Sequence, residues 1–365
     1  MGKAEDREEL SGAFNELANA VRDFFQVFDH MPFASLKKSD WKEVIELSDA
    51  LYRHATTVGF LCTADTPGVT ILKEAMSAHI NALQSFLLVS HGSTVGAGPT
   101  LFSCIRKNSK QVVDTTLMLL KEVVSAYGSE SKSRKDSIPQ LVGVACEACN
   151  AVKKTPTTNV TAVGRAMTEV SISVKDVLRE LKELKPASYE PPTKSSGETS
   201  TTKTEDKSNN DAGSCDGDLG SNLSPEEMKI AEIATTAVSE LLAVMKELIR
   251  CITAMLRREN AKQSSVSVDS LEKLLKLCQG ISAEVDNLGA CLYPPQEIPA
   301  IIWAVEKISL SVEATQTELQ NLKGSTKDFT RACDTLKSSL TRLSRAIGSE
   351  GDDGNVLRKL ENLDV

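Results

Sequence analysis

Residues 271–292 of the chain read LEKLLKLCQGISAEVDNLGACL. Apolar side chains recur through this stretch at alternating steps of three and four residues. Their positions are Leu271, Leu274, Cys278, Ile281, Val285, Leu288 and Leu292. Because an α-helix turns once in about 3.6 residues, this spacing keeps one narrow apolar stripe on the same side for many turns. Such a stripe is typical of a long helix packed against near-parallel neighbours.

The same spacing occurs before and after this stretch, in three further stripes. They comprise Ala234, Val238, Leu241, Met245, Leu248, Ile252 and Met255, then Ile298, Ile301, Val305, Ile308, Val312, Thr315, Leu319 and Leu322, and finally Phe329, Cys333, Leu336, Leu340, Leu343 and Ile347. Residues 223–349 are therefore predicted to form an antiparallel four-helix bundle. Ser224, Pro225 and Glu227 predict its start, since they supply a hydroxyl cap, a proline at the first helical position and a capping-box carboxylate.

The first half of the chain predicts about six more helices, which together form an N-terminal bundle over residues 1–187. Each carries a stripe of the same kind, for example Leu10, Phe14 and Val21 in the first helix. We expect Ser39 to cap the second helix and Asn159 to cap the sixth, because both side chains can accept a hydrogen bond from the first turn. Pro139 is expected in the first turn of the fifth helix.

Residues 188–222 differ from both halves and predict a disordered acidic linker rich in Ser and Thr. This segment carries seven acidic and three basic side chains with almost no apolar ones, so it cannot bury enough surface to offset its ordering entropy. Residues 350–365 predict an acidic tail, with one further helical turn at Val356 to Leu363. The chain is thus predicted to be all-α, with two antiparallel bundles joined by the linker.

The amino-acid composition narrows the class of protein to which the chain can belong. Of its 365 residues 41% are apolar and only 4% are aromatic, which suits helices packed side by side. The net charge of −8 disfavours direct binding of nucleic acid, because phosphates require a basic face. The nine cysteines fall mostly on apolar stripes and predict reduced thiols of an intracellular protein. We expect neither a signal peptide nor a membrane span.

No arrangement of residues in the sequence predicts catalysis, a metal site or a cofactor. No pair of the four histidines has metal-ligand spacing, and we interpret His79, on an apolar stripe, as a hydrogen-bonded packing residue. Cys146 and Cys149 have CxxC spacing, but they lie in a helical pattern without a second pair, so we interpret them as core thiols. The glycines between Gly92 and Gly98 lack the preceding strand of a nucleophile elbow or phosphate loop.

The segment from Val238 to Leu292 has two interpretations. Two amphipathic helices with Arg257 and Arg258 near the break resemble a dimerising helix-loop-helix. They also fit neighbouring members of an antiparallel bundle, which is the interpretation that we favour. If the segment paired with a basic helix-loop-helix factor, the effect would be inhibitory, because no cluster of arginines precedes it to bind phosphate.

The end of the opening stretch, together with the turn that follows it, resembles a known family. It runs Asp286-Asn287-Leu288-Gly289-Ala290-Cys291-Leu292-Tyr293-Pro294-Pro295. This stretch resembles the cyclin-D-binding proteins, or GCIP/Maid-type regulators, in which a helix ends in a Tyr-Pro-Pro turn before another long helix. Further similar positions are Val144, Ala145, Cys146, Thr155, Pro156, Asn159, Ala166, Val174, Lys175 and Asp176. The likeness includes the overall plan of helices, acidic linker and helices.

The resemblance implies a cytoplasmic and nuclear protein that binds D-type cyclins and helix-loop-helix factors and restrains cell-cycle entry or differentiation. It also implies helical bundles like those of vinculin and α-catenin. Two Arg-x-Leu matches, Arg179-Glu180-Leu181 and Arg358-Lys359-Leu360, are weak candidates for cyclin contact, and we expect the second to be the more accessible. The turn Leu292-Tyr293-Pro294-Pro295 is the candidate family signature.

Three classes of function follow from these observations. We expect a non-catalytic regulator of the cell cycle or transcription that works through protein partners. A vinculin-like cytoskeletal or scaffold adaptor is the main alternative. An enzyme or ligand carrier with a cavity inside a bundle is the third, and it has the least support, because side-by-side helices offer grooves more readily than deep polar clefts. The sequence leaves the oligomeric state open.

Overall fold

The computed structural model describes residues 3–33, 35–63, 68–128, 132–186, 222–260 and 266–361. Within these ranges it contains ten α-helices. They are α1 Lys3–Phe25, α2 Trp41–Thr63, α3 Val69–Ser93, α4 Pro99–Ala126, α5 Lys132–Val152, α6 Asn159–Leu181, α7 Pro225–Asn260, α8 Val268–Cys291, α9 Ile298–Asn321 and α10 Lys327–Glu361. A short 3-10 helix, Gln26–Asp29, follows α1. The predicted all-α class is confirmed.

The described residues also include one small departure from an all-helical chain. Two-residue strands, β1 at Lys185–Pro186 and β2 at Asn222–Leu223, pair in parallel on either side of the predicted linker. The linker itself, residues 188–222, lies outside the described residues except for Asn222. None of the described helices combines the length and the apolarity that a membrane crossing requires.

Contacts between Cα atoms divide the chain into two compact units. The first comprises Met1–Arg165 and Ser264–Glu272, and the second comprises Ala166–Gln263 and Lys273–Val365. The boundary therefore falls inside α6 and inside α8. The expected limits at residues 1–187, 188–222, 223–349 and 350–365 stay a prediction, and the contacts group most of α6 with the later helices. An amphipathic pattern shows which face of α6 is apolar but not which helices cover it.

In the first unit, α2 packs against α3 and α5, α4 packs against α5, and α1 packs against α3 and α4. One hydrophobic core runs through these helices, and Phe28 and Phe86 are among its largest fully buried side chains. Helices α2 and α5 approach closely at Gly59, where an added Cβ would lie 2.5 Å from Cγ2 of Val142. A larger residue at this position would push the two helices apart.

In the second unit, α7 packs along α10, and α10 also packs against α9. The predicted stripes of α7, α8 and α10 are buried throughout, and that of α9 is buried except at its ends, where Ile298 and Leu322 are half-buried. The 3-4 spacing thus identified the core-facing side of each helix. It also explains the length of these helices, because side-by-side packing covers the stripe along its whole length.

Three expected helix starts differ in the structure. Asp40, rather than Ser39, caps α2, since its Oδ1 accepts the Lys42 N–H at 3.0 Å. Thr158, rather than Asn159, caps α6, with its Oγ1 3.2 Å from the Thr161 nitrogen. Helix α5 begins at Lys132, so Pro139 lies inside it rather than in its first turn. At that proline the helix has no N–H to donate to the preceding turn.

The predicted capping box of α7 is confirmed. The Ser224 Oγ accepts the Glu227 N–H at 3.1 Å, and the Glu227 Oε2 accepts the Ser224 N–H at 2.9 Å. At the other end of the chain, α10 continues to Glu361, beyond the expected end of the bundle at residue 349. The helix therefore includes Arg358, Lys359 and Leu360. Arg, Lys and Leu all have high helix propensity, which favours a helix here.

Replacement of Ile281 by Asp tests the α8 stripe. Ile281 is only 3% exposed, so Ile281→Asp would place an unpaired charge in the core. The free energy of unfolding should fall by on the order of 3 to 5 kcal/mol. Thermal or denaturant melting measures this loss. Ala283→Asp, at an exposed position on the same helix, is the matched control and should melt close to wild type. Equal effects of the two changes would contradict the assigned core face.

Candidate protein-binding site

The candidate signature turn follows α8 directly. Leu292 is fully buried and continues the α8 stripe, whereas Tyr293 is 42% exposed. The Leu292 and Tyr293 N–H groups donate to the carbonyl oxygens of Gly289 and Ala290, so the chain leaves the helix in a tight turn. Pro294 and Pro295 then prevent the helix from continuing, because neither has an N–H to donate. The turn thus places an aromatic side chain at the surface beside a buried anchor.

The residue after this turn ties it to the start of α7. Gln296 donates its backbone N–H to Glu227 Oε1 at 3.2 Å, and its side-chain Nε2 donates to the Glu227 carbonyl oxygen at 2.9 Å. The same Nε2 lies 3.2 Å from the Leu292 carbonyl oxygen. Glu227 therefore serves both the capping box of α7 and the turn. Sequence reasoning identified the capping box but not this second role.

The Glu227 carboxylate accepts hydrogen bonds from two backbone N–H groups, which favour its ionised form. The Ser224 backbone N–H makes the largest contribution, and the Gln296 N–H adds to it, so the pKa of Glu227 lies below its ordinary value of 4.5 despite partial desolvation. A carboxylate at a helix N-terminus is also favoured by the helix dipole. The turn is consequently held by a group that is charged at neutral pH.

A groove lies beside Tyr293, between the second half of α6 and the end of α8. We call it the α6–α8 groove, and it is lined by Val177, Glu180, Leu181, Asp286, Gly289, Ala290 and Tyr293. The two helices approach closely at its base, because a Cβ on Gly289 would lie 3.0 Å from Cγ1 of Val177. Glycine at this point leaves room that a side chain would occupy.

The chemistry of the α6–α8 groove is apolar with an acidic rim. Val177 and Ala290 contribute accessible aliphatic surface, and Glu180 and Asp286 contribute carboxylates. A groove of this kind fits an apolar anchor that has basic neighbours. A glycine within a helical pattern is the signal that could have pointed to it, since such glycines often mark a close approach of two backbones.

The two Arg-x-Leu matches are placed differently from each other. In the first, Leu181 is buried, Glu180 lines the α6–α8 groove, and Arg179 pairs with Asp176 at 3.4 Å on the surface of α6. This match is therefore part of a helix and does not present its leucine to a partner. The second match lies in α10, and its role stays a prediction.

The helix-loop-helix interpretation of residues 238–292 meets a packing constraint. The apolar stripes of α7 and α8 are the ones that dimerising helices would use, and both stripes are buried. They cannot pair with another protein unless the bundle opens. This burial agrees with membership of a helical bundle, whereas the favoured interpretation of α7 and α8 as neighbours in it stays a prediction.

His79 and the two cysteines with CxxC spacing are buried in the first unit. His79 is 1% exposed, its ring stacks on His54 with centroids 5.8 Å apart, and its nitrogens have no partner among the described residues. The expected hydrogen bond is therefore absent from this part of the chain. Burial, with a smaller effect of His54, lowers the pKa of His79 to about 3, so the ring is neutral at physiological pH.

The two thiols of the CxxC spacing are core residues, as predicted. Cys146 and Cys149 are both buried, and burial raises the pKa of the Cys149 thiol to about 12. A thiol with such a pKa is a poor nucleophile. Within the described ranges no group of three or more His, Cys, Asp or Glu side chains could hold a metal ion.

Comparison with known proteins gives two matches to family models. The model "Grap2 and cyclin-D-interacting, N-terminal" matches residues 43–187, and "Grap2 and cyclin-D-interacting, C-terminal" matches residues 205–317. The second match includes the Tyr293 turn and the α8 side of the α6–α8 groove, and the first includes its α6 side. A search of curated proteins finds no match.

Replacement of Glu227 by Gln should make stability less dependent on pH. Because the folded-state pKa is depressed, the ionised carboxylate stabilises the protein above its ordinary pKa of 4.5, and this contribution is lost as pH falls through the depressed value. Glu227→Gln should therefore melt below wild type at neutral pH, and the difference should shrink in acid. Glu226→Gln, in the same exposed first turn, controls for loss of charge. A difference that persists unchanged in acid would contradict the assignment.

Proposed function

The chain belongs to the Grap2 and cyclin-D-interacting family, and on that premise we propose that it regulates cell-cycle progression or transcription by binding other proteins, without catalysis. The partners that the family suggests are a D-type cyclin and a helix-loop-helix factor. Such partners act in the nucleus and cytoplasm, and we propose the same location for this chain. The observation that carries the proposal is the α6–α8 groove beside the Tyr293 turn.

The groove supports a binding role for three physical reasons. When a partner covers its aliphatic surface, the complex is stabilised by roughly 25 cal/mol per Å² of apolar surface buried. Its carboxylates, Glu180 and Asp286, favour a partner with basic residues and disfavour an acidic one. Tyr293, partly exposed at its edge, offers both an aromatic face and a hydroxyl group, the combination that is enriched at protein interfaces.

These features favour a basic helix-loop-helix factor as the occupant of the groove. Such a factor joins a segment rich in Lys and Arg to an amphipathic helix, and so carries basic and apolar side chains close together. An anchor of this kind could dock on the outside of α6 and α8 while the core stripes of α7 and α8 stay covered. The factor would then be held away from its own dimer partner, and fewer DNA-binding dimers would form.

A D-type cyclin is the second partner that we propose. The Arg358-Lys359-Leu360 segment of α10 is a separate candidate contact for it, because an Arg-x-Leu pattern combines a basic and an apolar residue two positions apart. A double replacement, Arg358→Ala with Leu360→Ala, should weaken cyclin capture if this contact is used. Binding of the helix-loop-helix factor should be unaffected by that change, since the groove lies elsewhere in the chain. Equal cyclin capture by the double variant would remove this segment from the proposal.

Replacement of Ala290 by Arg tests the groove. Ala290 is exposed, so Ala290→Arg should fold normally while its long side chain fills the groove and pairs with the acidic rim. Affinity for a purified helix-loop-helix factor should fall at least about tenfold, as measured by titration calorimetry. Ala283→Arg makes the same change two turns earlier on α8, at an exposed position that does not line the groove, and it should bind as wild type.

Two outcomes of these titrations would count against the proposal. If both arginine variants bind as wild type does, the groove is not the contact. If the wild-type chain binds neither a helix-loop-helix factor nor a D-type cyclin, the proposed function fails. Co-sedimentation of the chain with cytoskeletal filaments would then support the adaptor alternative.

The chain alone should not shift duplex DNA in a gel-shift titration at physiological salt. The reason is its net charge of −8, because sequence-independent affinity comes largely from Lys and Arg that neutralise phosphates. Added to a helix-loop-helix factor, the chain should weaken the band of that factor. A salt-sensitive shift by the chain alone would instead indicate a basic face and direct binding of nucleic acid.

A further inference from the structure

Helix α9 has an exposed apolar face opposite its buried stripe. Ile302 is 40%, Trp303 60% and Leu310 64% exposed, although all three are large apolar side chains. Trp303 and Leu310 are seven residues apart, which places them on the same side of the helix, two turns from each other. We call this side, from Pro299 to Ala314, the outer face of α9. Large apolar groups clustered in this way mark interaction surfaces more often than scattered single residues do.

Two charged residues lie midway between Trp303 and Leu310. They are Glu306 and Lys307, both exposed, and neither forms an ion pair with any residue that the structure describes. The Lys307 ammonium instead lies over the Trp303 ring, 4.8 Å from its centre. A cation over an exposed ring is a weak contact, so the lysine is available to a stronger partner. The outer face therefore carries a free acid and a free base between two apolar side chains.

The order of these four side chains makes the outer face complementary to itself. Trp303 precedes Glu306 by three residues, and Leu310 follows Lys307 by three residues. If two copies of α9 lie antiparallel about a two-fold axis that passes between residues 306 and 307, Trp303 faces Leu310 of the second copy. Glu306 then faces Lys307 of the second copy. The axis doubles each contact, which gives two apolar pairs flanking two ion pairs.

We propose that the outer face of α9 is the contact between two copies of this chain, packed antiparallel. The self-complementary order of charges selects a second copy as the occupant, because an unrelated partner would not require acid and base to be placed symmetrically about one point. Pairs beyond the centre are also compatible, since Pro299 would face Ala314. A contact made by one helix from each copy is small, so the dimer should be reversible and dependent on concentration.

This contact is independent of the proposed function, since no residue of the outer face of α9 lines the α6–α8 groove. Dimerisation would present two grooves on one particle, and two-site binding raises the apparent affinity for a dimeric partner without new contacts.

Sedimentation velocity of the full chain over a range of concentrations tests the proposal. Wild type should pass from monomer to dimer as concentration rises, and Trp303→Ala should raise the dimer dissociation constant at least about tenfold. Trp303 is largely exposed, so this change should leave the melting temperature close to wild type. A wild-type chain that stays monomeric at all concentrations, or a Trp303→Ala variant that dimerises equally well, would overturn the proposal.

Charge exchange at the centre tests the antiparallel arrangement. Glu306→Lys alone should weaken the dimer, because two lysines would then face each other, and Lys307→Glu alone should weaken it by opposing two glutamates. The double variant should recover the wild-type affinity, since the exchanged charges again form opposite pairs across the axis. Lys276→Glu, an exposed charge reversal on α8, is the control and should dimerise as wild type. Failure of the double variant to recover affinity would overturn the proposed pairing.

Discussion

Every long helix of this chain carries one narrow apolar stripe, and covering these stripes is the constraint on which the rest of the structure depends. An isolated helix is marginally stable in water, because ordering its backbone costs about as much free energy as its hydrogen bonds return. The apolar stripe, with its alternating steps of three and four residues, stabilises the helix enough only when another helix lies along it and buries it. Helices that pack against each other, such as α2 with α3 and α7 with α10, satisfy this requirement.

Polar contacts between distant parts of the chain then determine how particular helix ends are placed. Glu272, in the first turns of α8, accepts the backbone N–H of Thr100 at 3.0 Å and its hydroxyl at 2.6 Å, so it serves the start of α4. Asn159 accepts the Gly98 N–H and donates to the Gly96 carbonyl, and it therefore braces the loop before α4. Each contact satisfies groups that a helix end or a loop would otherwise leave unpaired.

The same division between core and surface bears on function. The helix stripes, the CxxC thiols and His79 are all buried, whereas the surfaces proposed for binding lie on the outside of the helices. Membership of the Grap2 and cyclin-D-interacting family directs attention to protein partners, and two surfaces could receive them. The α6–α8 groove is apolar with an acidic rim, whereas the outer face of α9 is apolar with one acid and one base. The two surfaces therefore suit different occupants.

The sequence by itself determined the class of the fold, the number of helices and the core-facing side of each one. These follow from periodicity, because the number of residues between two positions of one helix determines whether both lie on the same side of it. The capping box at Ser224 and Glu227 is equally local, and the sequence revealed it for the same reason. The Tyr293 turn was found through resemblance to a family, with its buried leucine already visible as the end of a stripe.

Only the tertiary structure decided which helices cover which stripes and where the grooves lie. Asn159 was expected to cap α6, but it reaches Gly96 and Gly98 instead, across about sixty residues of chain. Most of α6 groups with the later helices, and Val177 meets Gly289 to form the base of a groove that no local pattern shows. Such contacts depend on distances between residues far apart in sequence. Periodicity identifies the face of a helix that must be covered, whereas three-dimensional packing selects the neighbour that covers it.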